Sequence, residues 1–288
     1  MDEDAGFYAK LDRSWRAGRF VCVGLDPDES RIPDVLRGTA ADRVGAFCRE
    51  VVAATGPFAS AFKLNSAFFE RMGVDGARLL HDLIGHIGDR HPESLVILDA
   101  KRGDIDHTNR YYADAVFDTL GADVVTVHPY MGRASLRPFL DRRDRGVIVM
   151  AANSTPGADE FQDLLVGEPA TPLYEHIGRT VAQQWNGLRN CAVTAGATQP
   201  EKLARLRRAV GELPILLLGL GAQGGDLREC LRVGRAARSF GLLPNSSRAI
   251  LYASSGPDFA DAARDAASEF NRQLAQVQQG AAAAPEPA

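Results

Sequence analysis

Residues 95–109 read LVILDAKRGDIDHTN. An apolar run with the makings of a buried strand ends in Asp99, Lys101, Arg102 and Asp104. Ionised side chains at the end of a core strand are costly to bury unless they are paired and hydrogen-bonded. These charges must therefore answer to one another or to a ligand. Side chains two apart on a strand point to the same side, which sets Asp99 beside Lys101 and lets the carboxylate keep the ammonium charged in a water-poor site. Lys63, at the end of the preceding strand candidate, falls beside them. Gly103 breaks the strand, so Asp104 is free to point away from its own subunit toward a neighbour. The result is a ladder of alternating charge, Lys63, Asp99, Lys101 and Asp104. It suits a reaction that expels a substrate anion and delivers a proton to carbon. The other reading of the same residues is a salt-bridge cluster that staples a rim.

Working outward, short apolar runs alternate with segments of helical period. Strands are expected at 20–25, 58–64, 95–100, 122–128, 146–152, 191–197, 214–220 and 237–243, and helices at 40–54, 70–89, 107–119, 133–141, 173–189, 200–210, 226–235 and 247–253. Strand–helix alternation of this kind indicates parallel βαβ units. About eight units over some 250 residues is the size of a (β/α)8 TIM barrel, expected here as a single α/β domain over 1–275; a doubly wound sheet is the alternative. Polar residues gather where each strand gives way to the next helix: Asp26, Lys63 with Asn65, Asp99 with Lys101, His128, Asn153 with Ser154, Thr198, Gln223 and Asn245. In a barrel those ends share one face, where active sites are built. An amphipathic helix is expected near the N-terminus. Residues 154–172, punctuated by Gly and Pro, suit a mobile lid. The low-complexity end, 276–288, is expected to be a disordered tail.

The composition bounds the function. Apolar residues make up 45% and charged residues 24%, and the net charge is −4. With no basic block, nucleic-acid binding is not expected. The four cysteines are scattered without a C-x-x-C, which suggests reduced thiols and a cytoplasmic protein. There is no apolar signal-peptide core, and no run approaches the ~20 residues of a membrane span. Of 33 basic residues only Lys10, Lys63, Lys101 and Lys202 are lysine, and two of them lie in strand candidates. Arginine cannot give up its proton, so those two sites call for an ammonium specifically. No metal site is expected: His81, His86 and His91 step by five and do not share a helix face, so they read as solvated helix residues. His128 falls on the active face, either beside the charges or as a rim histidine. Phe68, Phe69, Trp15 and Trp185 read as packing.

LDAKRGDI resembles the D-x-K-x-x-D-I signature of the orotidine 5'-phosphate decarboxylase family. The resemblance extends over nearly the whole chain, through VGLDPD, FKLN, NSTPG, GLGAQGGD and NSSRAI in that order, and is closest to the longer bacterial (type 2) branch. It implies a (β/α)8 homodimer that decarboxylates orotidine 5'-monophosphate to UMP, the last step of de novo UMP biosynthesis, with no metal and no organic cofactor. It assigns Lys63, Asp99 and Lys101 as the catalytic set of one subunit, with Lys101 protonating C6. Asp104 becomes the aspartate that enters the partner's active site, accompanied by Ile105 and Thr108. Asp26 is implied to bind the ribose, Ser154 the pyrimidine ring, Gln223 with Gly224 the base and phosphate, and Arg248 the phosphate. Glycines let a backbone approach a phosphate closely, a helix N-terminus favours an anion, and arginine adds a planar donor. The chain departs from the branch pattern at Leu64-Asn65, where Pro-Gln is common, at Asn153-Ser154-Thr155 in place of Thr-Ser-Asn, and at Leu218 in place of proline. None of these removes a charged group of the ladder.

Two rivals carry different chemistry. Related metal-dependent sugar-phosphate enzymes share the D-x-K-x-x-D strand but place a carboxylate where Lys63 stands. A nucleotide-binding barrel without turnover would need no intact ladder.

Overall fold

Eight strands pair in parallel around a closed ring. They are β1 (Val21–Leu25), β2 (Ala59–Asn65), β3 (Leu95–Arg102), β4 (Val124–Val127), β5 (Gly146–Val149), β8 (Cys191–Gly196), β9 (Ile215–Leu218) and β10 (Leu242–Ser246), and β10 closes back onto β1. The excursion between β5 and β8 holds β6 (Leu165–Val166) and β7 (Thr171–Pro172), a separate antiparallel pair. The structure is a computed structural model that describes residues 6–220 and 227–282, with side chains through residue 278. Helices cross over between successive ring strands, as parallel pairing requires, and the chain forms one (β/α)8 barrel.

Alternation along the strands separates two apolar layers. Val21, Val23, Leu64, Phe62, Val96 and Leu98 face the surrounding helices. Cys22, Ala61, Leu95, Ile97, Val124, Ile148, Ala192, Leu216 and Leu243 fill the barrel interior. The N-terminal helix Phe7–Arg16 plugs the floor of the ring: Phe7 and Leu11 join the interior cluster, and Lys10 Nζ reaches Asp123 at 2.9 Å. The inner layers are thus apolar up to about mid-height, and polarity is reserved for the C-terminal ends.

The last strand begins later than expected, at Leu242 and not at 237. Residues 237–241 form the approach to it. The backbone N–H groups of Ala237 and Arg238 are held by the Glu212 carboxylate. Phe240 packs on Phe20 and Trp15, and Gly241 turns the chain at φ +65. Arg207, nearly buried, donates to the carbonyls of Gly211, Leu213, Gly234 and Gly241, which ties this approach to the bottom of β9.

Other boundaries shift for local reasons. The expected helix 70–89 is two helices, Ser66–Glu70 and Gly73–Arg90, separated where Gly73 takes φ +63. The segments 107–119 and 173–189 each end in a π-helical turn, at Asp114–Thr119 and Val181–Trp185. The closing helix, Phe259–Ala282, continues past residue 275, where the tail was expected to start; Leu274 is buried and Val277 packs on the core. Residues 154–172 carry a short helix, Asp159–Gln162, and the β6–β7 pair, and are pinned by Lys202 to Asp163 at 2.7 Å. No helix among the described residues is long and apolar enough to cross a membrane.

Candidate active site

Polar side chains replace apolar ones at the upper ends of β1 to β4. Register sets Lys63 beside Ile97 and Asn65 beside Asp99, so the lysine of β2 sits one inward step below the aspartate of β3. Lys63 is only 3% exposed. Its ammonium lies between two carboxylates, 3.3 Å from Asp26 Oδ1 and 3.3 Å from Asp99 Oδ2. Burial alone would push its pKa down, but Asp26 and Asp99 outweigh that and raise it, so the group stays charged.

Asp99 is the centre of the arrangement. Oδ2 takes Lys63 and the Asn65 amide at 3.3 Å, while Oδ1 takes the Lys101 ammonium at 2.7 Å and the Thr126 hydroxyl at 2.9 Å. Burial opposes its ionisation, yet the two lysines, with the hydrogen bonds from Lys101 and Thr126, hold its pKa below the ordinary carboxylate value. Asp26 is oriented from its other oxygen by Ser247, which donates at 2.7 Å. Gly24 makes room for that hydroxyl, since a Cβ there would collide with Ser247 Oγ. A fixed row of alternating charge with one accessible ammonium can stabilise a developing anion and hand it a proton.

The alternation argument brought Asp99 and Lys101 together correctly but for an incomplete reason. The ladder between β3 and β4 slips after Leu98, and Lys101 has φ +46, a left-handed conformation unusual for a side chain other than glycine. The bulge re-aims Lys101, which is 39% exposed, into the mouth while its neighbour Asp99 stays at 9%.

Asp104 leaves this group. It is exposed and forms no ion pair among the described residues. Its carboxylate accepts the backbone N–H of Ile105 at 2.7 Å. Asn109, fully buried, embraces the backbone of Asp104: Oδ1 accepts its N–H at 3.0 Å and Nδ2 donates to its carbonyl at 2.6 Å, with a second bond to the Ser135 carbonyl. Ile105 is exposed, and Thr108 is half-buried on the helix Asp106–Ala113.

Ser154 is half-buried at the mouth, packed so closely over Gly196 that a Cβ there would lie 2.7 Å from the Ser154 Cβ. Arg248 opens the short helix Arg248–Leu251; it is exposed and has no ion-pair partner among the described residues. Gln223 and Gly224 lie outside the described residues. His128 is exposed at the rim and has its pKa lowered by partial burial and by the charge of Lys101. His81 is exposed and His86 half-buried, but His91 departs from the expectation of a solvated helix residue. It caps the helix Gly73–Arg90, with its ring packed against Gly56 and 5.8 Å from Phe62. Among the described residues no group of three or more His, Cys, Asp or Glu is arranged to hold a metal ion.

Two functional-site residues escaped the sequence reading, Thr126 and Asn109. Thr126 is the one polar residue in VVTV, and Asn109 closes the LVILDAKRGDIDHTN stretch. Thr126 was visible only as a polar residue inside an apolar run, and Asn109 only as one polar residue among several.

Comparison with known proteins bears on the same face. The profile of the Orotidine 5'-phosphate decarboxylase / HUMPS family matches residues 19–278. The orotidine 5'-phosphate decarboxylase of Aromatoleum aromaticum is 46% identical over 262 residues, 91% of this chain and 95% of the relative. That of a Janthinobacterium species is 42% identical over 274 residues, 93% and 99% of the two chains. The solved OMP decarboxylase of Leishmania donovani superposes with a TM-score of 0.82 at 33% identity, covering 94% of this chain and 98% of that one. The UMP synthase of the same organism gives 0.83 at 35% identity, but this chain spans only 56% of its length. A barrel with a lysine–aspartate–lysine cluster at its mouth, matched over nearly its full length, belongs to the orotidine 5'-phosphate decarboxylase family and is an enzyme of that class.

Proposed function

We propose that the chain converts orotidine 5'-monophosphate to uridine 5'-monophosphate and CO2, as the last step of de novo UMP synthesis, in the cytoplasm and without metal or organic cofactor. The observation that carries this reading is Asp99, with one ammonium on each of its oxygens. The bond from C6 to the substrate carboxylate breaks, its electron pair stays on C6, and CO2 departs. Lys101 gives a proton to C6 and regains one from water. The cations stand in place before the charge develops, so they stabilise the carbanion without reorganising. Asp99 faces the substrate carboxylate and holds Lys101.

The other assignments follow the family motif. Asp26 binds the ribose hydroxyls, Ser154 the pyrimidine ring, Gln223 and Gly224 the base and phosphate, and Arg248 the phosphate, for which its exposed guanidinium, without an ion-pair partner among the described residues, is suited. The working unit is a homodimer in which Asp104, Ile105 and Thr108 reach the partner's site. The exposed Asp104 carboxylate supports this, as do the exposed apolar side chains Ile105, Tyr111, Tyr130 and Met131, which lie on or next to the mutually packed helices Asp106–Ala113 and Gly132–Leu140.

An ultraviolet assay of orotidylate conversion with purified protein and no added metal tests the reading. Stoichiometric UMP formation, unchanged by EDTA, is the expected result. Turnover abolished by EDTA favours metal-dependent sugar-phosphate chemistry. Nucleotide binding without turnover leaves only a binding barrel.

A further inference from the structure

Between the paired positions Leu98–Val125 and Arg102–Val127, β3 places Asp99, Ala100 and Lys101 against Thr126 alone on β4. A bulge of this size strands backbone groups that would otherwise pair across the ladder. Thr126, 1% exposed, takes up the deficit: its Oγ1 accepts the Lys101 backbone N–H at 2.9 Å and donates its proton to Asp99 Oδ1 at 2.9 Å. That oxygen is the one on which the Lys101 ammonium rests at 2.7 Å.

We propose that Thr126 is the positioning residue of the Asp99–Lys101 pair, its hydroxyl fixing both the backbone from which Lys101 projects and the carboxylate oxygen that aims its ammonium. This assignment rests on the decarboxylase reading of that pair. Thr194 shows what a purely architectural threonine looks like in the same barrel. Its hydroxyl accepts the Ala151 N–H at 3.1 Å and donates to the Ala152 carbonyl at 3.0 Å, with no ionised group involved. At Thr126 the same plug is turned onto a carboxylate, so its loss is felt in charge as well as in shape. β-Branching restricts the side chain to few rotamers in the packed wall, so the donor direction is fixed by packing.

Valine fills the same space but leaves the Lys101 N–H unpaired and Asp99 one donor short. The groups facing Asp99 are Lys63 and Asn65 from β2, Lys101 from its own strand, Thr126 from β4 and His128 just past it. Cys22 of β1 and Asp26, just past that strand, lie behind Lys63. Every one of them except Thr126 is unchanged in the valine variant.

The experiment compares wild type, Thr126→Val and Thr126→Ser in steady-state turnover of orotidylate across pH, with the thermal midpoint and UMP affinity recorded alongside. For Thr126→Val, kcat is expected to fall about 10–100-fold, with KM and UMP affinity within about threefold of wild type. The acid limb of the kcat profile should move to higher pH as Asp99 loses a donor. Thr126→Ser, which keeps both hydrogen bonds, should return kcat to within about threefold of wild type. A folded Thr126→Val with wild-type kcat and an unmoved acid limb overturns the proposal, as does a serine variant as impaired as valine. Should the valine variant not fold, the serine variant alone decides, and a loss larger than about threefold counts against the assignment. Wild-type protein without turnover overturns the decarboxylase reading and this assignment with it; active wild type beside an unaffected valine variant overturns the assignment alone.

Discussion

Lys101 joins two demands that conflict locally. Its ammonium must reach the mouth of the barrel, and the route there holds the backbone at φ +46, which costs of order 1–3 kcal/mol for a residue with a Cβ. Lys101→Ala removes the proposed proton donor but keeps the strain, whereas Lys101→Gly removes both. Both variants should lose turnover while still binding UMP. The glycine variant is expected to be the more stable by about 1 kcal/mol in chemical denaturation. The charges were legible in the sequence because ionised residues at the end of an apolar run demand partners. The bulge that aims them was not, since it arises from register with β4 and leaves no mark in β3 alone. Asn109 was invisible for a similar reason: an amide that mimics a peptide group and clasps Asp104 reads in sequence as one more polar helix residue.

At the scale of elements, strand and helix alternation was readable because strands such as β1, β2, β4 and β5 are buried on both faces and stand out as short apolar runs. It failed at β10, where ARSFGLL looks like strand but Ala237 and Arg238 are tethered to Glu212 and Gly241 to Arg207. No propensity encodes contacts to side chains so distant in sequence. Arg207→Met should therefore lower stability by about 3 kcal/mol or more, because the four carbonyls lose their donor at once. Urea titration measures this, and kcat should hold because the residue sits at the opposite end from the chemistry. The N-terminal helix makes a parallel case. Leu11, fully buried in the floor, is expected to cost about 2–5 kcal/mol when cut to alanine, again with the kinetic constants of the folded protein preserved.

For the whole molecule, charge and assembly set the conditions under which the site persists. Asp99 titrates below its ordinary 3.8, so its contribution to stability is present above that value and lost as pH falls through the depressed one; Lys63 titrates above its ordinary 10.5, so its contribution is present below that value and lost as pH rises through the elevated one. The stability difference between wild type and Asp99→Asn, followed by thermal melts, should stay level from about pH 5 to about pH 9 and shrink in stronger acid. Mixing Lys101→Ala with Asp104→Ala chains should restore partial activity through heterodimers. Demonstrated subunit exchange without recovery would remove Asp104 from the partner's site. The scarcity of lysine has a practical corollary. Lys63 is sealed in, Lys10 and Lys202 are tied down at 15% and 23% exposure, and Lys101 at 39% is the most open of the four. Among the four lysines, a mild acylating reagent should therefore favour Lys101, and its protection by UMP, read by mass spectrometry, would count occupied sites without any turnover measurement.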